Sequence, residues 1–117
     1  MSRYQDLVNQ AKARIRETTI DALHRDGAAL GVLIDVREPA EWAAGHVPGA
    51  RLLPRGILEG KIEELAPDPH QPIVLYCGSG GRSALAAESL QRMGYGNVLS
   101  LAGGFGAWRD AGKPIEM

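Results

Sequence analysis

Cys77 is the only cysteine of the 117 residues, and it stands between an apolar run and a glycine-rich loop. The run is Ile-Val-Leu-Tyr at 73–76, and the residues after the cysteine are Gly78, Ser79, Gly80, Gly81, Arg82 and Ser83. In a strand–loop–helix unit, the loop amides and the first helical amides converge on one point and bind an anion. The pattern therefore predicts an exposed thiolate with a lowered pKa at Cys77, beside a guanidinium suited to an oxyanion.

A lone cysteine after a strand has a second interpretation. Free cysteine is among the residues most often buried, where it packs as a small hydrophobic side chain. Such a structural cysteine does not require three glycines and an arginine immediately after it. Those neighbours favour the reactive thiolate, which we also expect to be prone to oxidation.

Composition restricts the class of protein. The length fits one domain with a real core, and 44% hydrophobic with 23% charged residues is ordinary for a globular protein. A formal net charge of −1 gives no basic field, so we expect no nucleic-acid partner. No signal pattern or bilayer-length apolar run is present, so we expect no membrane partner and a cytoplasmic location. One cysteine excludes an internal disulfide and an all-cysteine metal site.

Strands and helices alternate around this loop. We predict strands near 16–18, 32–36, 50–53, 73–76 and 97–101. We predict helices over 3–14, from the Thr19 cap to Gly27, from Pro39 to Gly45, and over 55–65, 83–93 and 105–111. Such an alternation favours a parallel sheet with helices on both faces, whose ligand site lies outside the carboxyl ends of the strands, where Cys77 stands.

Four stretches, in order, resemble the signatures of the rhodanese family of sulfurtransferases. They are Ile34-Asp35-Val36-Arg37-Glu38-Pro39 with Glu41-Trp42 and Gly45-His46-Val47-Pro48-Gly49-Ala50; Pro54-Arg55-Gly56 with Leu58-Glu59; Cys77 to Arg82, similar to the active-site loop Cys-x-x-Gly-x-Arg; and Leu101-Ala102-Gly103-Gly104 with Trp108 and Gly112-Lys113-Pro114. The resemblance begins near residue 15. We therefore divide the chain into an N-terminal amphipathic helix over 1–15 and a rhodanese domain over 16–117.

The resemblance implies a three-layer α/β/α fold with a five-stranded parallel sheet and an extra N-terminal helix. It also implies sulfur transfer through a persulfide on Cys77, from thiosulfate or a persulfide donor to cyanide, a thiol or a protein acceptor. Arg82 would hold the sulfonate of thiosulfate. The other substrate-binding residues would be Gly78, Ser79, Gly80, Gly81 and Ser83. No cofactor and no metal are implied.

Two alternatives remain beside the sulfurtransferase. Phosphatases and arsenate reductases of the same fold have a loop one residue longer than the four residues between Cys77 and Arg82 here. Rhodanese-like modules also serve as non-enzymatic interaction domains or persulfide carriers, although inert modules usually lack the cysteine or the loop glycines. The sequence favours the enzyme.

Charged residues of the first two signatures receive structural interpretations. We expect Asp35 to accept backbone N–H bonds in a turn, and Arg37 and Glu41 to form structural ion pairs. We expect His46 to anchor a turn rather than to act as a base. Arg55 resembles a family position near the site and is a candidate for attracting anions.

Overall fold

Five parallel strands form one sheet in the computed structural model, which describes residues 2–117. The strands are β1 (Arg16–Thr18), β2 (Val32–Asp35), β3 (Arg51–Leu52), β4 (Ile73–Tyr76) and β5 (Val98–Leu101). Their order across the sheet is β1-β5-β4-β2-β3, so β4 is central and the two shortest strands lie at the edges. All carboxyl ends therefore share one edge of the sheet, and Cys77 follows the middle one.

Six α-helices connect and cover these strands. They are α1 (Arg3–Lys12), α2 (Ile20–Asp26), α3 (Pro39–Ala43), α4 (Leu58–Leu65), α5 (Gly81–Arg92) and α6 (Gly104–Asp110), with short 3₁₀ helices at Gly27–Leu30 and Arg55–Ile57. Their starts follow local chemistry: the Thr19 hydroxyl accepts the Ala22 N–H at 3.1 Å, and Pro39 begins α3, where its fixed φ fits the first helical position.

The two faces of the sheet carry separate hydrophobic clusters. One contains Ile73, Leu75 and Cys77 with side chains of α4 and α5, and the other contains Tyr76 with Leu23 of α2 and Trp108 of α6. Successive side chains of a strand point to opposite faces, so the alternation along β4 turns Cys77 toward α5. The side-chain alternation along this buried strand thus decides which helix the thiol of Cys77 contacts.

This architecture confirms the predicted fold class, a five-stranded parallel sheet between helices with an additional N-terminal helix. The additional helix, α1, packs mainly against α5. Val8 and Ala11 are its buried residues. The division of the chain at 15/16 stays a prediction.

Within residues 2–117, no helix combines the length and the apolar character needed to cross a membrane.

Candidate active site

The sulfur of Cys77 is surrounded by hydrogen-bond donors from the loop and from the first turn of α5. The Gly80 N–H donates to Sγ at 3.1 Å and the Ser83 N–H at 3.4 Å, while the Ser83 hydroxyl lies 3.6 Å from Sγ. Loop and helix amides therefore converge on the sulfur, as the strand–loop–helix pattern predicted.

These contacts determine the acidity of the thiol. Burial alone would raise the pKa of Cys77, because a charge is costly away from water. The Ser83 hydroxyl and the amides of Ser83, Gly80 and Ser79 outweigh that effect and lower the pKa below its ordinary value. The geometry thus favours the nucleophilic form of the cysteine.

The expected exposure of the thiolate is wrong. Cys77 is only 1% exposed, and it belongs to the core cluster under α5. The reason is the strand alternation described above, which directs the side chain beneath the loop instead of outward. This burial restricts the access of bulky oxidants to the sulfur.

The three loop glycines serve different purposes. Gly80 has a φ of +107°, in the region that favours glycine, and it caps the N-terminus of α5. Gly78 and Gly81 have no such angle. A Cβ there would lie 3.2 Å from Arg82 Nη2 and 2.7 Å from the Tyr4 hydroxyl, respectively, and each of these atoms is the far end of a side chain that can shift. Of these three glycines, Gly80 alone has a backbone angle that favours glycine.

Ser100 was not singled out from the sequence, yet it supports the site. It is fully buried in β5, and its hydroxyl lies 2.8 Å from that of Ser83. A buried hydroxyl needs a partner, so Ser100 fixes the orientation of the group beside Sγ. The available signal was a serine inside the otherwise apolar run Val-Leu-Ser-Leu at 98–101.

We expect Ser83→Ala to raise the pKa of Cys77, because it removes the hydroxyl contact that lowers this pKa more than any other group does. The thiolate absorbance in the ultraviolet, measured against pH relative to a Cys77→Ser reference, reports this shift cleanly because there is one cysteine. Ser89→Ala is the matched control, since its hydroxyl accepts from Arg55 Nη2 at 3.1 Å and not from the thiol. An unchanged midpoint in Ser83→Ala would exclude the hydroxyl as a thiolate donor.

Arg82 and Glu41 form a bidentate salt bridge beside the loop. Arg82 Nη1 donates to Glu41 Oε1 at 2.8 Å and Nη2 to Oε2 at 3.0 Å. Arg82 lowers the pKa of Glu41 to about 2, so the carboxyl group is ionised near neutral pH. The predicted ion pairing of Glu41 is present, and its partner is the arginine that the resemblance assigned to the substrate.

Backbone amides at the start of α6 donate hydrogen bonds to the loop. The Phe105 N–H donates to the carbonyl of Cys77 at 2.7 Å, and the Gly106 N–H to that of Gly78 at 2.9 Å. Gly104 has a φ of +58°, and a Cβ on it would lie 2.5 Å from the Cys77 carbonyl oxygen. Only glycine fits between the helix and the loop here.

Gly104→Ala is accordingly expected to destabilise the protein by about 2–4 kcal/mol, from the strained φ together with the forced displacement of backbone. Urea unfolding measures this change. Gly60→Ala is the control, because Gly60 lies in α4 with open space around it, and alanine there is expected to be neutral or stabilising. Equal stabilities for the two variants would show that the loop tolerates displacement.

Other residues singled out from the sequence make their polar contacts with groups other than the sulfur. Arg55 pairs with Glu59 at 2.8 Å, so its charge is already matched. His46 Nδ1 lies 3.1 Å from the Trp42 carbonyl oxygen, and the two rings stack 3.5 Å apart, consistent with a turn anchor. Asp35 accepts the Arg37 N–H at 2.9 Å as predicted, and it also forms a buried ion pair with that side chain.

Tyr4 joins the site from the N-terminal helix. Its hydroxyl is the nearest neighbour of a Cβ built on Gly81, and the Tyr4 side chain is half exposed. The beginning of α1 therefore lies at the same edge of the sheet as the loop. Helical spacing in the sequence gave no signal for this, because it depends on how α1 crosses α5.

A groove of about 720 Å³ lies elsewhere, on the face that carries α2 and α6. Its lining includes Leu23, Val32, Val47 and Trp108, and, within residues 2–117, no residue of the loop from Cys77 to Ser83. The same described range contains no cluster of three or more His, Cys, Asp or Glu side chains suited to a metal ion. The loop that contains Cys77 is thus separate in space from this groove.

Known proteins are similar to this chain in architecture and in sequence. The model of the rhodanese-like domain family matches residues 10–111. A curated protein of Allochromatium vinosum named "Sulfurtransferase" is 43% identical over 84 residues, which are 72% of this chain and 77% of that protein.

Two solved structures extend the likeness. A Rhodopseudomonas palustris protein of unknown function, described as a possible tyrosine phosphatase, is 40% identical with a TM-score of 0.86, covering 99% of this chain and 96% of that one. The polysulfide-sulfur transferase homodimer of Wolinella succinogenes is 28% identical with a TM-score of 0.80, covering 97% of this chain and 86% of that one.

The family match spans most of the chain, and the fold of the solved relatives agrees with a parallel sheet that presents Cys77 at the end of its central strand. The identity to the sulfurtransferase exceeds what a shared fold alone requires. This chain belongs to the rhodanese-like domain family, and its relatives support an enzyme of sulfurtransferase type.

Proposed function

We propose that the protein transfers sulfane sulfur, from thiosulfate or a persulfide, to a nucleophilic acceptor through a persulfide on Cys77. The observation that carries this proposal is the set of donors converging on Sγ from Gly80 and Ser83, at 3.1 and 3.4 Å. Such fixed dipoles stabilise a thiolate before reaction and a terminal persulfide anion after it. No other side chain of the loop is a nucleophile of comparable strength.

The first half-reaction loads the enzyme. The Cys77 thiolate attacks the outer sulfur of thiosulfate and forms a new S–S bond. The S–S bond of the donor breaks, and its electron pair leaves with sulfite. The products are the Cys77 persulfide anion and sulfite, so atoms and charge balance without a redox partner or metal.

The second half-reaction unloads it. Cyanide, or the thiolate of a small molecule or a protein, attacks the outer sulfur of the persulfide. The S–S bond breaks and its electron pair returns to Cys77 as thiolate, while the acceptor leaves as thiocyanate or as a new persulfide. This covalent route divides one transfer into two easier steps. Such a thiol chemistry suits a reducing compartment, and we propose the cytoplasm.

The remaining loop residues bind and orient the donor. The backbone of Gly78, Ser79, Gly80 and Gly81 surrounds the donor as it approaches the sulfur, and the Ser83 N–H stabilises the negative charge on the sulfur. Arg82 directs two N–H groups to Glu41, which leaves the other hydrogens of its five-donor fork for an anionic donor. We propose that Arg82 holds the acidic end of the donor with these.

The phosphatase named for the Rhodopseudomonas relative is the second candidate. Its chemistry would place a phosphate within the loop, but here four residues separate Cys77 from Arg82, and the guanidinium is paired with a carboxylate. A phosphoryl group also needs an acid for its leaving group, and the loop contains none. Both points favour sulfur over phosphate.

Turnover assays with matched substrates distinguish the candidates. We expect thiocyanate from thiosulfate or from a persulfide donor with cyanide, and only background hydrolysis of an aryl phosphate or reduction of arsenate. Cys77→Ser serves as the blank in every assay. Thiol-dependent phosphate release without sulfur transfer would favour the phosphatase. Inactivity toward all substrates, with a folded and reduced sample, would favour an interaction module.

A further inference from the structure

One carboxylate, that of Glu41, sets the charge beside the thiol loop. It faces the guanidinium of Arg82 through two nearly parallel hydrogen bonds of 2.8 and 3.0 Å. The Arg82 and Glu41 side chains are 36% and 38% exposed, so the pair lies at the surface of the site and not underneath it. An incoming donor therefore meets a neutralised pair and not a free cation.

Glu41 is also held by its own helix. Its Oε1 accepts the Glu38 N–H at 3.0 Å while it receives Arg82 Nη1. Pro39 fixes the backbone between these residues at the start of α3. Because several contacts hold the carboxylate, an anionic donor does not simply displace it from Arg82.

Both charges lie close to the first residue after the nucleophile. A Cβ on Gly78 would be 3.2 Å from Arg82 Nη2 and 4.0 Å from Glu41 Oε2. The amides of Gly80 and Ser83 already point at Sγ, where they stabilise the single charge of the thiolate. A donor with two negative charges thus approaches a thiolate beside Arg82, whose charge Glu41 already matches.

Resting on the proposed function, we propose that Glu41 determines the class of sulfur donor, disfavouring dianionic thiosulfate and favouring donors with at most one charge, such as thiosulfonates or protonated persulfides. The repulsion between two charges scales with their product. A dianion is consequently penalised twice as strongly in free energy as a monoanion of similar size. Glu41 would act without touching the bonds that form or break.

The test compares loading of Cys77 by thiosulfate and by methanethiosulfonate, its singly charged analogue, which transfers the same sulfur and releases methanesulfinate. The rate constant for gain of one sulfur is followed by intact mass. Glu41→Gln is expected to raise the rate constant for loading about tenfold with thiosulfate. Because methanethiosulfonate carries half the charge, its rate constant should rise by the square root of that factor, about threefold. Added salt should reduce the discrimination in the unmodified protein, because exposed charges are screened.

Two further variants separate charge from geometry. Glu41→Asp keeps the charge but shortens the side chain, so we expect its donor ratio to stay close to that of the unmodified protein. Glu59→Gln removes the same charge from the Arg55 pair, whose Nη1–Oε2 distance is also 2.8 Å, and should leave the ratio unchanged. A shift in Glu41→Asp equal to that of Glu41→Gln would overturn the charge explanation.

The outcomes also distinguish this inference from the function on which it rests. Loading by both donors with equal fold changes in Glu41→Gln, or a loss with both, would overturn the role of Glu41 and leave the persulfide route intact. Absence of loading from either donor, in the unmodified protein and in every variant, would overturn the proposed function and this inference together.

Discussion

Cys77→Ser is expected to reduce sulfur transfer by about a thousandfold or more while the fold is retained. Loss of a nucleophile has effects of this size or larger, because the covalent intermediate no longer forms. We expect the serine hydroxyl to take the place of the thiol and to accept from the N–H groups of Gly80 and Ser83, which contact Sγ in the unmodified protein. Thiocyanate release measures the loss, and thermal unfolding should shift by no more than about 5 °C.

The chain makes this experiment decisive. It contains one cysteine, so no second thiol rescues the variant or accepts sulfur in its place. Cys77→Ala provides the control for the hydroxyl, since it removes any residual oxygen nucleophile. Substantial activity in both variants would show that the transferred sulfur is not carried by Cys77.

Asp35→Ala is expected to lower the free energy of unfolding by about 3–5 kcal/mol, because it leaves a buried charge without its partner. The Asp35 and Arg37 side chains are 0% and 5% exposed and lie 2.8 Å apart. Arg37 also donates to the Gly45 carbonyl at 2.7 Å and lies 4.4 Å from the centre of the Phe105 ring. Without Asp35 the guanidinium loses the one ion-pair partner it has among residues 2–117. Urea unfolding gives the change.

The matched control is the ion pair of Arg55 and Glu59, which also joins an arginine to a carboxylate at 2.8 Å but is 32% and 42% exposed. Glu59→Ala is expected to cost at most about 1 kcal/mol, since exposed pairs contribute little. Similar losses in the two variants would mean that burial does not govern the energetics of these pairs.

Most of the fold was predictable because its signals are local. The mainly apolar runs at 32–36 and 73–76 indicated strands buried on both faces, and the structure places β2 and β4 as neighbours in the sheet. Thr19 and Pro39 marked the starts of α2 and α3 through hydrogen bonding and fixed φ. In the same way, the glycine-rich loop between a strand and a helix predicted the backbone amides that converge on Cys77.

The remaining features depend on how distant segments meet. The pairing of Glu41 with Arg82 joins residues 41 positions apart, and the contact of Tyr4 with Gly81 depends on the crossing of α1 over α5. The burial of Cys77 follows from which face β4 turns toward α5, and that depends on register across the sheet. Spacing along the chain contains no information on these distances.

Carriage of sulfur by Cys77 is tested most directly by the intact mass of the purified, reduced protein before and after incubation with a sulfane-sulfur donor. Thiosulfate and methanethiosulfonate are used in parallel, because we expect Glu41 to slow the loading of Cys77 by thiosulfate. The predicted result is a gain of one sulfur atom, reversed by cyanide and absent in Cys77→Ser. No gain from either donor, or an equal gain in Cys77→Ser, would contradict a persulfide on this thiol.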